Sequence, residues 1–194
     1  MQFSILQSAL ALLLVACVAS FRWAMGAFFR QPSGFTPGMQ AIKLSSSLTF
    51  LLNLIAILIA PPVPMNWAVL AVLIYSASLG LFWWAIQTNR SRPLTAVFTP
   101  DAPEHLVTNG PYRFVRHPFY TSYMLAWAGG IPASGALWLL IPLAVMIGLY
   151  WKAAEVEEDK FARSSLAAEY RAYCSRTGRF LPIPWKAAQV RQSA

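Results

Sequence analysis

Charged residues are scarce in this sequence. Of its 194 residues, 15 are Lys or Arg and 7 are Asp or Glu, so charged side chains make up 11% of the chain. Soluble globular domains have about 25% charged residues. Hydrophobic residues account for 57% of the sequence, and the mean hydropathy is +0.50. This composition excludes a soluble domain and predicts an integral membrane protein.

Cysteine is also rare, with Cys17 in the first apolar run and Cys174 near the C-terminus. The two are expected in lipid and in a cytoplasmic tail, so no disulfide between them is predicted, and neither is flanked like a metal site, so no metal is predicted. No Gly-x-Gly occurs, and the segments outside the apolar runs are too short for a nucleotide-binding α/β domain. The scattered basic residues are typical of membrane loops, so no nucleic-acid partner is predicted.

Four long apolar windows are present, and the last is a charge-free stretch from Pro118 to Trp151. It is too long for one span of about 20 residues, and GGIPASG, Gly129 to Gly135, is expected to break it into a hairpin. The sequence predicts an all-α polytopic membrane protein, a single domain over residues 1–194 with five transmembrane helices, of which the last two form a helical hairpin, and a cytoplasmic C-terminal helix. The expected spans are residues 3–21, 44–60, 67–86, 118–131 and 135–152. The first is expected to be a retained anchor, because it lacks the basic start of a signal peptide.

Basic residues mark cytoplasmic loops, so the N-terminus is expected outside the membrane. The loop 87–117 and the tail 153–185 then share the cytoplasmic face and are expected to form the cofactor site. All acidic residues fall in these two segments: Asp101, Glu104, Glu155, Glu157, Glu158, Asp159 and Glu169. Residues 153–173 lack Gly and Pro and are expected to continue the last span as a helix. Polar chemistry is therefore predicted where loop and tail meet.

The stretch GPYRFVRHPFY, Gly110 to Tyr120, concentrates polar residues at the start of an apolar helix. A helix N-terminus favours an anionic group, and Arg116 could bind a carboxylate or phosphate through two hydrogen bonds. Alternatively, Arg, His and Tyr are ordinary residues at a membrane surface. The tail sequence EVEED could likewise be a solvated face, or its carboxylates could need cations such as Arg113 and Arg116. These residues alone leave both interpretations open.

The sequence HLVTNGPYRFVRHPFY, followed by an apolar hairpin, a Glu pair, Tyr-x-x-Tyr and Arg-Phe-Leu-Pro, resembles the isoprenylcysteine carboxyl methyltransferase and phospholipid methyltransferase family of membrane enzymes. The resemblance covers His105 to Pro182. Leu166 and Ala167 stand where the family usually has Phe-Gly, a departure that leaves the register of the glutamates open by one position. The family's pair otherwise falls on Glu157 and Glu158.

The resemblance implies that S-adenosylmethionine binds on the cytoplasmic side and that an amphiphilic acceptor enters from the membrane lipids. The implied cofactor-binding residues are His105, Leu106, Val107, Gly110, Tyr112, His117, Pro118, Tyr120, Glu157 and Glu158. Arg116 and Glu158 are the implied catalytic residues. Tyr170, Tyr173 and Arg179 are the implied substrate-binding residues. The acceptor group stays open between a carboxylate and an amine, for which a glutamate or His117 would remove a proton.

Two other functions stay open. One is a sterol-type membrane reductase that uses NADPH, because the C-terminal half of such enzymes resembles this architecture. The other is a non-catalytic membrane scaffold of the same fold. The polar motif is intact apart from Leu166 and Ala167, which favours the methyltransferase. Prenylated protein, phospholipid amine and small hydrophobic acid all remain possible acceptors.

Overall fold

The computed structural model describes residues 5–30, 36–90, 94–95, 103 and 105–183. The expectations for Phe3, Asp101, Glu104 and residues 184–185 lie outside these ranges. The described helices are α1 (Ile5–Ala27), α2 (Pro37–Ile59), α3 (Met65–Thr88), α4 (Pro118–Ser134), α5 (Leu140–Ala162) and α6 (Ala167–Arg176). Single 3₁₀ turns cover Gly110–Arg113 and Leu137–Leu139, and two short strands, β1 (Phe29–Arg30) and β2 (Leu94–Thr95), pair in parallel.

The all-α architecture is confirmed over the described residues. Within the described residues, four segments are long and apolar enough to cross a membrane: α1, α2, α3 and Leu137–Ala162, which includes α5. Helix α4 has 17 residues and rises about 25 Å, less than the roughly 30 Å of a hydrocarbon core. The count of five spans therefore stays a prediction that depends on α4.

The end of α1 and the start of α2 lie well outside the limits of the expected spans. Helix α2 begins at Pro37, because the side chain of Thr36 accepts a hydrogen bond from the backbone N–H of Met39 and proline occupies the first helical position. Helix α1 continues past Phe21 and includes Arg22. Both helices therefore extend into sequence that the basic residues had assigned to a loop.

The hairpin sequence GGIPASG is mostly helical, so α4 extends beyond residue 131, where its expected span ends. Helix α4 runs through to Ser134, and the chain turns at Gly135, whose φ of 71° is left-handed. Gly129 and Gly130 serve packing instead. A Cβ on Gly130 would collide with Oδ1 of Asn53 in α2, and a Cβ on Gly129 would lie 2.7 Å from the ring of Tyr75 in α3.

Helix α4 lies at the centre of the bundle and packs against α1, α2, α3 and α5. Its buried face carries small residues, including Ser122, Ala126 and Ala133, which let the neighbouring helices approach closely. The Ser78 hydroxyl in α3 donates to the backbone oxygen of Ser122 at 2.7 Å. The central position brings the first turn of α4 next to the last turns of α5.

The sequence had suggested one continuous helix over residues 153–173, but the tail contains two helices. Helix α5 ends at Ala162 and α6 begins at Ala167. Between them the Ser164 hydroxyl accepts a hydrogen bond from the backbone N–H of Leu166 at 3.1 Å, and serine competes in this way with helical hydrogen bonding. Helix α6 packs back on α5, where the Tyr170 ring stacks on Phe161 with centroids 4.7 Å apart.

Candidate functional site

The 3₁₀ turn at Gly110–Arg113 docks on the C-terminal end of α3. Gly110 has a φ of 57°, and a Cβ there would collide with the hydroxyl of Thr88. The side-chain amide of Asn89 donates to the Tyr112 hydroxyl at 3.0 Å. These contacts fix the entry of the chain into the Arg116–His117 segment.

A short segment after α6, here called the C-terminal strap (Thr177–Phe180), pairs with the chain just before α4. The backbone N–H of Arg116 donates to Gly178 O at 2.8 Å, and that of His117 donates to Arg179 O at 3.1 Å. The Thr121 hydroxyl donates to Phe180 O at 3.0 Å. The strap therefore occupies the backbone amides of the two residues that precede α4.

Glu158 lies where the strap, the loop and α5 meet. Its Oε1 accepts hydrogen bonds from Nε of Arg116 at 3.0 Å and Nε of Arg179 at 3.1 Å, and it lies 3.1 Å from Nε2 of His117. Its Oε2 accepts from Nη2 of Arg179 at 2.6 Å. Nη1 of Arg116 also donates to Thr177 O at 2.6 Å. One carboxylate thus holds three cationic side chains from two separate segments.

Glu157 has fewer partners than Glu158. Its Oε1 accepts from the Tyr120 hydroxyl at 2.8 Å, and its Oε2 lies 3.1 Å from Nδ1 of His117. Its side chain is 28% exposed, compared with 14% for Glu158. A carboxylate has about four acceptor positions, so Glu157 retains capacity for a further donor. We call Arg116, His117, Glu157, Glu158 and Arg179 the ionic cluster.

The contacts of the His117 ring favour its protonated form. Both ring nitrogens lie 3.1 Å from a carboxylate oxygen, and a neutral imidazole has only one N–H to donate. Burial by itself lowers the pKa of His117, but the hydrogen bonds to Glu157 and Glu158 outweigh it, and the pKa is raised above its usual value. Three cations therefore face two carboxylates in the ionic cluster.

Aromatic rings line the cluster on the side of α4 and α5. Tyr120 stacks between His117 and Tyr150, with centroid distances of 5.6 Å and 5.4 Å. The Arg179 guanidinium lies 4.6 Å from the centroid of the Trp151 ring, a cation–π geometry. Phe180 contacts both His117 and Trp151, each at 5.8 Å.

Sequence reasoning named Tyr120 but missed Tyr150, Trp151 and Phe180, although a signal was available for the first two. Tyr150 lies seven residues before Glu157, and Trp151 lies seven residues before Glu158. Each aromatic residue is therefore two turns earlier on the same face of α5 as its glutamate. Phe180 directly follows Arg179 within the Arg-Phe-Leu-Pro motif, and the sequence alone assigns it no role of its own.

The structure brings six of the sequence-predicted site residues together: Arg116, His117, Tyr120, Glu157, Glu158 and Arg179. The others lie around them. Tyr173 donates to Tyr112 O at 2.7 Å and Tyr170 packs on Phe161, while Pro118 is buried at the start of α4.

His105, Leu106 and Val107 are half-buried, and among the described residues no hydrogen bond or ion pair joins them to the ionic cluster. Arg113 is exposed, and Arg116 rather than Arg113 pairs with the tail.

Comparison with known proteins identifies the family of this site. Residues 65–168 match the phospholipid methyltransferase family. The chain belongs to that family. The matched region includes α3, α4, α5 and both glutamates, and it ends before the C-terminal strap. Family membership implies a methyltransferase with membrane helices.

A curated relative is the cobalt-zinc-cadmium resistance protein CzcN of Cupriavidus metallidurans. It is 30% identical over 106 residues, which are 55% of this chain and 44% of CzcN. The match thus spans less than half the length of that relative. In the part of the chain that the structure describes, no three His, Cys, Asp or Glu side chains are grouped as a metal site would require.

The protonation of His117 predicts a dependence of stability on pH. The pKa of His117 is raised in the folded protein, whereas an unfolded histidine titrates near about 6.5. The charged ring therefore stabilises the fold fully below about pH 6.5, and this contribution is lost as pH rises through the folded-state pKa. We expect His117→Gln to lower Tm in detergent most near about pH 6 and progressively less toward about pH 9, with roughly 2–4 °C for each kcal/mol lost.

Thermal unfolding followed by tryptophan fluorescence measures this effect, with His105→Gln as the matched control. An equal loss of Tm at both pH values, or a larger loss at the higher one, would show that His117 is neutral in the folded protein.

Proposed function

We propose that this protein transfers the methyl group of S-adenosylmethionine to the polar end of a lipid-like or prenylated acceptor at the membrane surface. The observation that carries the proposal is the ionic cluster, in which the Arg-His-Pro-x-Tyr segment and the glutamate pair meet through direct contacts. Family membership supports methyl transfer over the sterol-type reductase.

The residues present fit the chemistry of this cofactor. It carries a sulfonium, an ammonium, a carboxylate and an adenine, and so needs anionic, cationic and aromatic partners close together. Glu157 has acceptor capacity for the ammonium, and Arg116 and Arg179 offer guanidinium groups for the carboxylate. The rings of Tyr120 and Phe180 suit the adenine or the sulfonium. When bound, the cofactor would supply an electrophilic methyl group.

The chain's own contribution is to orient groups and exclude water. Glu158 acts through the cations that it holds, because it keeps Arg116, His117 and Arg179 in fixed positions. Fixed, partly desolvated charges need little reorganisation during reaction. The strap and the rings of Tyr120 and Phe180 cover the cluster, and His117 is 8% exposed. We therefore propose that Arg116 contacts the reacting groups. Glu158 then acts as a positioning residue for the cations that it holds.

We further propose five membrane spans, with α4 as the fourth, the N-terminus outside and the site on the cytoplasmic face. Charge distribution supports this orientation. Arg90, Arg113 and Lys152 are exposed near the cluster end of the bundle, whereas the connections at the other end, residues 60–66 and 135–139, contain no charged residue. Basic residues accumulate on the cytoplasmic side. The central packing of α4 supports its place among the spans although it is short.

Binding of the cofactor tests the function. Glu157→Gln removes a charge but leaves the Glu158 contacts in place, so we expect S-adenosylmethionine binding to weaken about tenfold or more, the effect of losing one charge-assisted hydrogen bond. Calorimetry in detergent measures the affinity. Glu155→Gln is the matched control, because Glu155 lies on the same helix but pairs with exposed Lys152.

NADPH is measured in parallel. Binding of NADPH without S-adenosylmethionine would establish the reductase, and binding of neither would favour the scaffold. Equal affinities for wild-type protein and Glu157→Gln would remove Glu157 from the cofactor site.

Cysteine labelling tests the orientation. Asn66 and Asn109 are both exposed and lie at opposite ends of the bundle. In a Cys174→Ser background, we expect a membrane-impermeant thiol reagent to label Asn66→Cys in intact cells and Asn109→Cys only after the cells are opened. The reverse pattern would place the ionic cluster outside.

A further inference from the structure

We propose that Trp151 is a positioning residue of the site, which holds the guanidinium of Arg179 against Glu158 and so docks the C-terminal strap on α5. The use of Arg179 in binding rests on the proposed function, whereas the contacts of Trp151 can be measured without any ligand. Trp151 lies outside the Arg-His-Pro-x-Tyr segment and the glutamate pair. Its role follows from three features: the two surfaces that α5 offers to Arg179, the fixed orientation of the indole ring, and a second contact of that ring with the strap.

The guanidinium of Arg179 is held on two sides by one helix. Its Nε and Nη2 donate to Oε1 and Oε2 of Glu158 at 3.1 Å and 2.6 Å. Its central carbon lies 4.6 Å from the centroid of the Trp151 ring. Trp151 and Glu158 are seven residues apart on α5, which places them on one face of the helix. Helix α5 thus contacts the edge of the guanidinium with a carboxylate and its face with an indole.

This double contact suits arginine specifically. A guanidinium presents two N–H groups along one edge and a flat face that stacks on aromatic rings, whereas a lysine ammonium is a compact point charge. Glu158 Oε1 also faces Arg116 and His117, so several donors share one oxygen. The indole of Trp151 restricts the plane of the Arg179 guanidinium and keeps both of its hydrogen bonds aligned with the carboxylate.

The orientation of the indole is set by α5 itself. The Trp151 Nε1–H donates to Oε1 of Glu155 at 3.0 Å, one turn further along the helix. The amide oxygen in Glu155→Gln would still accept this hydrogen bond. A surface that is already ordered loses little conformational entropy when its partner docks. The indole is therefore in place for Arg179 independently of the strap.

The same ring also contacts the next residue of the strap. The ring of Phe180 lies 5.8 Å from that of Trp151, at an interplanar angle of 61°. Two consecutive strap residues, Arg179 and Phe180, therefore pack on one indole. The opposite side of the strap is held by backbone hydrogen bonds to the loop before α4. Trp151 thus supplies the docking surface of the strap on α5.

A tryptophan at a membrane surface can also serve as an ordinary interfacial anchor, and Trp84 provides the comparison. Trp151 is 48% exposed, and Trp84 of α3 is 45% exposed. Trp84 lies at the same end of the bundle and packs on the apolar ring of Phe114, with centroids 6.1 Å apart. Equal effects of replacing the two residues would indicate anchoring alone.

The Nε–H resonance of Arg179 tests the contact directly by NMR of the full chain in detergent, without a ligand. It is assigned through its loss in Arg179→Gln. Protons above an aromatic face are shielded, so we expect the resonance to move downfield in Trp151→Leu, to move less in Trp151→Phe, which keeps a ring, and to stay in place in Trp84→Leu. A resonance that stays in place in Trp151→Leu would overturn the proposal. If Trp151→Leu does not fold, Trp151→Phe provides the same comparison.

A double-mutant cycle tests whether Trp151 acts through Arg179. We expect Trp151→Leu to weaken S-adenosylmethionine binding about two- to fivefold in calorimetry, the effect of one partly exposed cation–π contact, and Trp84→Leu to leave it unchanged. In an Arg179→Gln background, Trp151→Leu should cause no further loss, because the residue through which it acts is already absent. No loss in the wild-type background, or an equal loss in both backgrounds, would contradict the positioning role.

The positioning role and the proposed function fail differently. A wild-type chain that does not bind S-adenosylmethionine, but whose Arg179 resonance responds to Trp151→Leu, would contradict the methyltransferase and still support the positioning of Arg179 by Trp151. A chain that binds S-adenosylmethionine, but whose Arg179 resonance does not respond, would preserve the methyltransferase and exclude the role of Trp151.

Discussion

The contact between Glu158 and three cationic side chains is the constraint on which the site depends. A charge near the edge of an apolar bundle is costly unless it is paired and hydrogen-bonded. Glu158 pairs with Arg116 and His117 from the loop and with Arg179 from the strap. Removing this carboxylate would leave three cations facing each other, a loss of about 3–5 kcal/mol for a broken buried pair. The loop, α5 and the strap are therefore held together by one side chain.

The packing of α4 determines where this contact forms. Gly129 and Gly130 let α2 and α3 approach the helix closely, and its first turn consequently lies against the end of α5. Tyr120 then stacks on Tyr150 and donates to Glu157. A bundle of apolar helices thus positions a charged cluster at its edge. Methyl transfer suits such a site, because it needs alignment and exclusion of water more than covalent help from the protein.

Much of the helical fold and many of the residues of the site could be predicted from sequence. Which cation pairs with which glutamate could not. Long apolar runs identify the helices, and the confinement of all acidic residues to two segments indicates that these segments meet. Nothing in the sequence distinguishes Glu157 from Glu158, because their roles depend on which cations approach from other elements. The sequence GGIPASG suggested a turn, which lies at Gly135, but nothing in it shows that the small size of Gly129 and Gly130 serves tertiary packing within α4. Ser164 makes a local hydrogen bond just after the end of α5, and the spacing of apolar residues does not predict this bond.

Hydrogen–deuterium exchange in Glu158→Gln tests the central claim that this residue joins the loop to the strap. The peptides to compare are residues 110–120 and 174–182, with Asp159→Asn as the control, because Asp159 pairs with Arg163 at the exposed end of α5. The account predicts that the amides of Arg116, His117 and Gly178 exchange faster together in Glu158→Gln and remain protected in the control. Unchanged exchange in both peptides, or faster exchange in one of them alone, would contradict it.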